Sequence, residues 1–357
     1  MNEIRSLILR ITEHCNLRCR YCYAAPFDTG CTAALTGSAS NTAAHSSPAD
    51  MTAELALSAV SLCCPEGGSL SIQFTGGEPL LNFPVIEAVY AFGQKTNRKL
   101  SLSIQTNGPL LTPDICRRLA AMNCAVGVSL DGIADANRLR LFSNGQAAFP
   151  AVIQGIRNLG DAGLRCNLTT VITKINVRHL GQLPDLALYL GNVSGIGLDL
   201  FRPLGRGKAE NLSPTEADLT DGLKTLIART KEIRSAGISF RLRELERLKK
   251  RLACIGCDAI YCYAQTDQSL AVDAAGDCWP CSSLAGDDSY CLGNLKDGLP
   301  APPRSSLHLE APPDCAACAA FSYCKGGCPA GRSAIGGGPD PLTCTMYHIL
   351  FNELNEV

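Results

Sequence analysis

Three cysteines, Cys15, Cys19 and Cys22, sit within "EHCNLRCRYCYA", residues 13 to 24. A structural zinc site takes four protein ligands, and a four-iron cluster normally takes four thiolates. Three thiolates would hold a four-iron cluster by three corners and leave the fourth iron open to a substrate or cofactor. The alternative is structural zinc, with His14 or Cys31 as the fourth ligand. A second group lies near the other end of the chain. Cys262 and Cys281 bracket Gly276, then Cys315, Cys318, Cys324 and Cys328 follow as C-x2-C-x5-C-x3-C, with Cys344 beyond a loop. CxxC pairs of this kind suit zinc ribbons as well as iron–sulfur clusters.

The chain carries 20 cysteines in 357 residues. A strand pattern and the cysteine triplet follow Met1 directly, so no signal peptide is expected. No apolar run reaches the roughly 18 residues of a membrane helix. A cytoplasmic location is therefore expected, where thiols stay reduced and a disulfide framework is a poor explanation. Cys63, Cys64, Cys116, Cys124 and Cys166 fall in helix or strand patterns and read as core. The clusters at the two ends read as metal ligands. A net charge of −1 excludes a general nucleic-acid binder, and 46% hydrophobic content is ample for a packed core.

The elements that must position these residues alternate. "SLILRIT", "SLSIQFT", "LSLSIQT", "AVGVSL", "CNLTTVIT" and "GIGLDLF" read as six strands, with helical patterns between them. Asp50 is expected to cap the helix "MTAELALSAVSLC", and Ser213 the helix that begins in "SPTEADL". Six such units predict an α/β fold with a parallel sheet, a partial (β/α)6 barrel of the TIM type ahead of a doubly wound sheet, a choice that periodicity alone does not make. In that architecture functional groups follow the C-terminal ends of strands, and the cysteine triplet follows the first strand. Residues 206 to 253 read as a helical linker whose basic helix, "FRLRELERLKKRLA", is a solvated face. From Cys254 the chain is rich in Cys, Gly and Pro and short of periodicity. That segment is expected to bury little apolar surface and to fold around metal.

CxxxCxΦC with Tyr21 as the aromatic, followed by "GGEPL" (Gly76 to Leu80), "QTNG" (Gln105 to Gly108) and "VSLDG", resembles radical S-adenosylmethionine enzymes. Each motif ends a successive predicted strand, in that order. The resemblance implies a core cluster on Cys15, Cys19 and Cys22. It assigns Tyr21, Gly76, Gly77, Glu78, Thr106, Asn107, Ser129 and Arg138 to S-adenosylmethionine. Glu78 would meet the methionyl amine, and two glycines let backbone approach closely. The D-x-x-R stretch, Asp135 to Arg138, stands about three residues nearer to "SLDG" than in the family, so Arg140 is the other reading. The C-terminal pattern is similar to the seven-cysteine SPASM extension. That similarity implies two further four-iron clusters, one on Cys257, Cys262, Cys281 and Cys328, the other on Cys315, Cys318, Cys324 and Cys344. Cys254 is the runner-up to Cys257. The expected domains are a radical core (1–205), the linker (206–253) and a SPASM domain (254–357), carrying three 4Fe-4S clusters in all.

The resemblance implies one-electron cleavage of S-adenosylmethionine to a 5′-deoxyadenosyl radical, which takes a hydrogen atom from substrate. The stretch from "SLDG" to Phe149 resembles the branch that matures peptides and sulfatases. Modification of a ribosomally made peptide or protein is therefore expected: a cross-link, an oxidation or an epimerisation. The alternatives are a small-molecule or cofactor precursor, a sulfatase-maturase-like formylglycine former, and a non-enzymatic three-cluster electron carrier. A carrier needs no S-adenosylmethionine pocket. Sulfatase maturases carry an acidic residue after the cysteine matching Cys281; here it is Ser282, with Asp287 and Asp288 nearby. Cys278 and Cys31 are the unassigned thiols placed to touch substrate. Only fourteen residues precede Cys15, so a separate chain is the expected leader reader if one is needed. The other expected partner is a one-electron reductant of flavodoxin or ferredoxin type. No nucleic-acid or membrane partner is expected.

Overall fold

The six expected strands form where the apolar runs lie. They are β1 (Ser6–Thr12), β2 (Ser69–Gly76), β3 (Lys99–Thr106), β4 (Ala125–Ser129), β5 (Cys166–Ile172) and β6 (Val193–Leu200). The helices that follow them in turn are α1 (Ala53–Cys63), α2 (Phe83–Lys95), α3 (Pro113–Ala121), α4 (Phe149–Asp161), α5 (Leu183–Leu190) and α6 (Glu216–Ser235). The computed structural model describes residues 4–24, 50–253, 261–266, 268–300 and 310–355. Cys31, Cys254 and Cys257 lie outside the described residues.

The chain divides into two compact units. The first comprises Met1–Asn16, Ala24–Ile104 and Asp267–Leu307. It carries α1, α2 and the strand order β10-β9-β8-β1-β2-β3, where β8 is Ser269–Val272, β9 is Asp277–Trp279 and β10 is Gly293–Asn294. The second comprises Leu17–Tyr23, Gln105–Thr266 and His308–Val357, with the order β4-β5-β6-β7 and β7 at Arg241–Leu242. The sheet is parallel except at β9 and β10. Parallel strands demand helical crossovers, which is why strand and helix alternate.

Four short strands were not expected. β8 runs parallel to β1, with Ser6 opposite Ser269, and is buried along its whole length. The segment after Cys254 therefore does bury apolar surface, through Leu270, Val272, Trp279, Leu284 and Leu295. A four-residue run is too short to display a period, so its sequence gave no strand signal. β7 likewise takes the first residues of the basic stretch, and the helix proper is α7 (Arg243–Ala253), with Leu245 and Leu248 buried. The cysteine-rich end holds α8 (Phe321–Cys324), α9 (Pro329–Ser333) and α10 (Pro341–Asn355), and α10 is tied to α6 by Thr345 to Glu216 and Lys231 to Glu353.

Two caps differ from expectation. Thr52, not Asp50, caps α1 by accepting from the Leu55 N–H, and Thr215, not Ser213, caps α6 by accepting from the Asp218 N–H. The cap must stand directly before the first helical residue, and Pro214 separates Ser213 from that place. Asp50 instead accepts a 2.5 Å hydrogen bond from Thr12 at the end of β1. Among the described residues, no helix is long and apolar enough to cross a membrane.

Candidate active site

In the first unit, the site begins where β1 ends. The register between β1 and β2 slips between Arg10 and Thr12. The Ile11 carbonyl accepts instead from the Met51 N–H and from Asn82 Nδ2 at 2.7 Å. This irregularity turns the chain out of the sheet just before Cys15, as bulges beside functional sites do. Gly77 N–H donates to Thr12 O, and Glu78 N–H to His14 O, each at 2.8 Å. The GGE segment thus lies backbone to backbone on the loop that carries Cys15. Gly76 holds φ +137°, where side chains are strained. The Glu78 carboxylate is fully buried, and it accepts from the Leu80 N–H. An anion so placed suits an amine or ammonium ligand.

Below that loop Arg10 bridges Glu13, at 3.0 Å, and the carbonyl of Ser282, at 3.1 Å. Burial raises the Glu13 carboxyl above its ordinary value, while Arg10 opposes the rise. The segment after Cys281 is thereby fastened to β1. Asp287 and Asp288 are exposed, and Asp287 caps its own turn. Cys278 is fully buried, and its thiol is pushed up to about 12 by burial and by nearby Cys63. One of the two thiols expected to stand near substrate is therefore a buried one.

In the second unit, Cys19 is buried and Cys22 half-buried. Their loop is held from two sides. Arg18 and Arg20 N–H groups donate to the carbonyls of Leu141 and Leu139. On the other side, Arg206 N–H donates to Cys22 O, and Arg206 Nε to Cys19 O, both at 3.0 Å. Arg20 pairs with Glu210 through two hydrogen bonds. A Cβ on Gly205 would stand 2.5 Å from the carbonyl oxygens of Cys22 and Tyr23, so only glycine fits. Sequence reasoning missed Gly205, Arg206 and Glu210. The available signal was an arginine between two glycines, Gly205 and Gly207, in the loop that follows β6.

Three of the remaining predicted residues, Thr106, Asn107 and Ser129, lie at strand ends. Thr106 ends β3 and Asn107 follows it, both buried, and the Thr106 hydroxyl accepts from Gly108 N–H. Ser129 ends β4, where its hydroxyl accepts from Gln105 Nε2 at 3.0 Å. Tyr21 is buried and donates to Asp131 Oδ2 while accepting from Arg140 Nη1 at 2.6 Å. Arg138 is exposed. The structure therefore separates the two arginine readings: one faces solvent, the other is buried under the cysteine loop.

Four of the C-terminal cysteines come together. Cys315, Cys318, Cys324 and Cys344 line one cavity, with His348 3.8 Å from the Cys318 sulfur. Burial, then neighbouring Cys344 and Cys315, push the Cys324 thiol up to about 11. Close thiols repel as thiolates, and a bound cation would relieve that repulsion. Among the described residues, no three His, Cys, Asp or Glu side chains converge on a single-ion position. A four-iron cube spreads its thiolates over separate corners, and a cavity walled by four thiols suits that wider spacing. Cys262 and Cys328 form a second neighbourhood. Burial, then Cys328, raise the Cys262 thiol, and Arg202 Nη2 donates to the Cys328 sulfur at 3.4 Å. Cys281 belongs to the first unit.

Residues 9–187 match the family model described as the radical SAM superfamily, half of the chain. An uncharacterised protein of Methanocaldococcus jannaschii is 29% identical over 301 residues, 83% of this chain and 91% of that protein. The mycofactocin maturase of Mycobacterium ulcerans is 29% identical over 299 residues, 77% of this chain and 75% of that protein. A solved structure described as native anSMEcpe with bound AdoMet and a peptide superposes with a TM-score of 0.80 at 24% identity, covering 99% of this chain and 97% of that one. That likeness shows the fold: α/β with the parallel sheet of a partial barrel.

Proposed function

The chain belongs to the radical SAM superfamily, and from that premise we propose that it modifies a side chain of a ribosomally made peptide or protein. Cys15, Cys19 and Cys22 hold the core 4Fe-4S cluster, and Glu78 meets the amine of S-adenosylmethionine. Gly76, Gly77, Tyr21, Thr106, Asn107, Ser129 and an arginine, Arg138 or Arg140, complete that cofactor's place. Bound there together, the two groups would supply one-electron cleavage of a carbon–sulfur bond and, with it, removal of a hydrogen atom from substrate. The chain's own task is to seat them. It aims a buried carboxylate, keeps water out and fastens the cysteine loop by backbone hydrogen bonds.

Cys315, Cys318, Cys324 and Cys344 hold one auxiliary cluster, and Cys257, Cys262, Cys281 and Cys328 the other. The proposed domains are the core at 1–205, the linker at 206–253 and the SPASM domain at 254–357. A low-potential one-electron donor of flavodoxin or ferredoxin type supplies the electrons in a reducing cytoplasm.

The observation that carries the peptide reading is the likeness to a maturase over 77% of the chain, well beyond the half that marks the superfamily. The cavity of four thiols supports it, because the SPASM pattern accompanies peptide-modifying members. An extended peptide gains affinity from its backbone while presenting one side chain to the radical. The test is co-expression with short peptides encoded beside the gene, followed by mass spectrometry. Loss of two hydrogens indicates a cross-link or oxidation. Unchanged mass with deuterium taken from heavy water indicates epimerisation. If no such peptide changes, and a small metabolite instead drives 5′-deoxyadenosine release above the uncoupled rate, the peptide reading is wrong.

A further inference from the structure

The last turn of α7, in the second unit, carries Arg251, whose half-buried guanidinium turns onto the cysteine-rich segments. Its Nη1 donates to the carbonyl of Tyr323 at 2.9 Å, and its Nη2 to the carbonyl of Tyr261 at 2.6 Å. Each carbonyl belongs to the residue directly before an expected ligand: Tyr261 precedes Cys262, and Tyr323 precedes Cys324. The guanidinium also lies over the Tyr261 ring, 5.0 Å from its centroid. That ring meets Tyr347 in a T-shaped contact, with centroids 6.1 Å apart. Tyr347 walls the cavity of Cys315, Cys318, Cys324 and Cys344, and Tyr261 lines another cavity with Cys328. Two routes, one of hydrogen bonds and one of rings, therefore join the two cysteine neighbourhoods through Tyr261.

The helix that presents Arg251 is itself held. At its start Arg243 Nη2 donates to Leu198 O at 2.6 Å, and the buried Glu244 accepts from Leu198 N–H at 3.1 Å. Arg234 of α6 bonds to Glu246 at 2.5 Å. Arg251 thus reaches out from a helix anchored on β6. A guanidinium offers its donors in a rigid planar fork, so two carbonyls that meet one fork are kept at one spacing. The segments it joins hold only turns and short helices around their cysteines. Ordering such a segment costs conformational entropy, and binding of a metal group offsets that cost. Where ordering one segment also orders the next, the second site fills at a lower cost than the first.

We propose that Arg251 is a positioning residue that couples the two auxiliary sites. Filling the site of Cys315, Cys318, Cys324 and Cys344 prepares the site that includes Cys262 and Cys328, and linkage makes the effect reciprocal. The inference rests on the proposed assignment of these cysteines to two clusters. Arg251 acts through the backbone of the residues before two ligands, and no bond is made or broken at its side chain.

The experiment counts clusters chain by chain. The parent is the full chain with Cys15, Cys19 and Cys22 replaced by alanine, so that only the auxiliary sites take up iron. It is reconstituted anaerobically with rising amounts of iron and sulfide, and native mass spectrometry resolves chains that carry none, one or two clusters. At half loading, two equal and independent sites leave about half of the chains with one cluster, and a coupling of about tenfold lowers that share to about a quarter. The parent should stand near a quarter and Arg251→Met near a half, compared at the same total iron. Arg251→Lys keeps the charge but cannot span both carbonyls, so it should follow Arg251→Met. Lys250→Met, at an exposed position on the same helix, should match the parent. General loosening lowers the iron bound without changing the distribution at matched iron. If Arg251→Met takes up no iron, the share in Arg251→Lys decides. The same share in the parent and in either Arg251 variant overturns the coupling. A parent that never takes up two clusters overturns the proposed assignment of the auxiliary ligands, a separate failure with which this inference also falls.

Discussion

A Cβ at Gly76 would stand 2.1 Å from the Thr12 carbonyl oxygen, and one at Gly77 2.2 Å from that of His14. Both neighbours are backbone, which cannot swing aside as a flexible side chain would. Gly77→Ala should therefore push the segment that leads into Cys15 away from the GGE turn. We expect a cost of about 2–3 kcal/mol, in the range for overpacking. Urea unfolding of the metal-free chain measures it, and loss of the core cluster's iron after reconstitution should accompany it. Gly338→Ala is the control, since nothing lies within 4 Å of its Cβ. Equal melting of the two variants would show that the turn is not packed as described.

The elements carry their own local logic. Thr215 caps α6 in a reciprocal arrangement: it accepts from Asp218 N–H at 3.1 Å and donates to Asp218 Oδ2 at 2.8 Å. The helix presents Leu219, Leu223, Leu226 and Ile233 as a buried face, each such side chain contributing about 1.5–3 kcal/mol by burial. Thr215→Ala should cost about 1 kcal/mol, the usual loss of an N-cap. Ser213→Ala, at an exposed position before the proline, should stay within about 0.5 kcal/mol of wild type. Denaturant midpoints of the metal-free chain decide it, and a larger loss at Ser213 would return the cap to the position expected from "SPTE".

At the scale of the whole molecule, metal content is the decisive quantity. The eleven cysteines proposed as ligands would make three cluster sites, so anaerobic reconstitution should load about 12 iron atoms, four for each cluster. Replacing Cys15, Cys19 and Cys22 together by alanine should leave about eight. Replacing Cys315, Cys318, Cys324 and Cys344 instead should remove a different four and leave the S-adenosylmethionine-responsive signal in place. Elemental analysis with electron paramagnetic resonance reads both. Zinc at the C-terminal sites, with iron confined to the core, would overturn the SPASM assignment.

The cysteine spacing, the order of GGE, TNG and SLDG after successive strands, and the six strands themselves were legible in the sequence. Each depends on residues close together in the chain, where period and spacing express chemistry directly. The burial of Cys63, Cys64, Cys116, Cys124 and Cys166 was legible for the same reason. Tertiary structure alone decided the rest. Tyr21 meets Asp131 across 110 positions and Arg140 across 119, and Arg206 holds Cys19 across 187. β8 finds β1 from the far end of the chain, and Asp50 leaves its helix to bind Thr12. A polar side chain can satisfy its hydrogen bonds equally well with many partners. Which one it meets is settled only when packing of the apolar strands and helices brings one of them within about 3 Å and excludes the competing water.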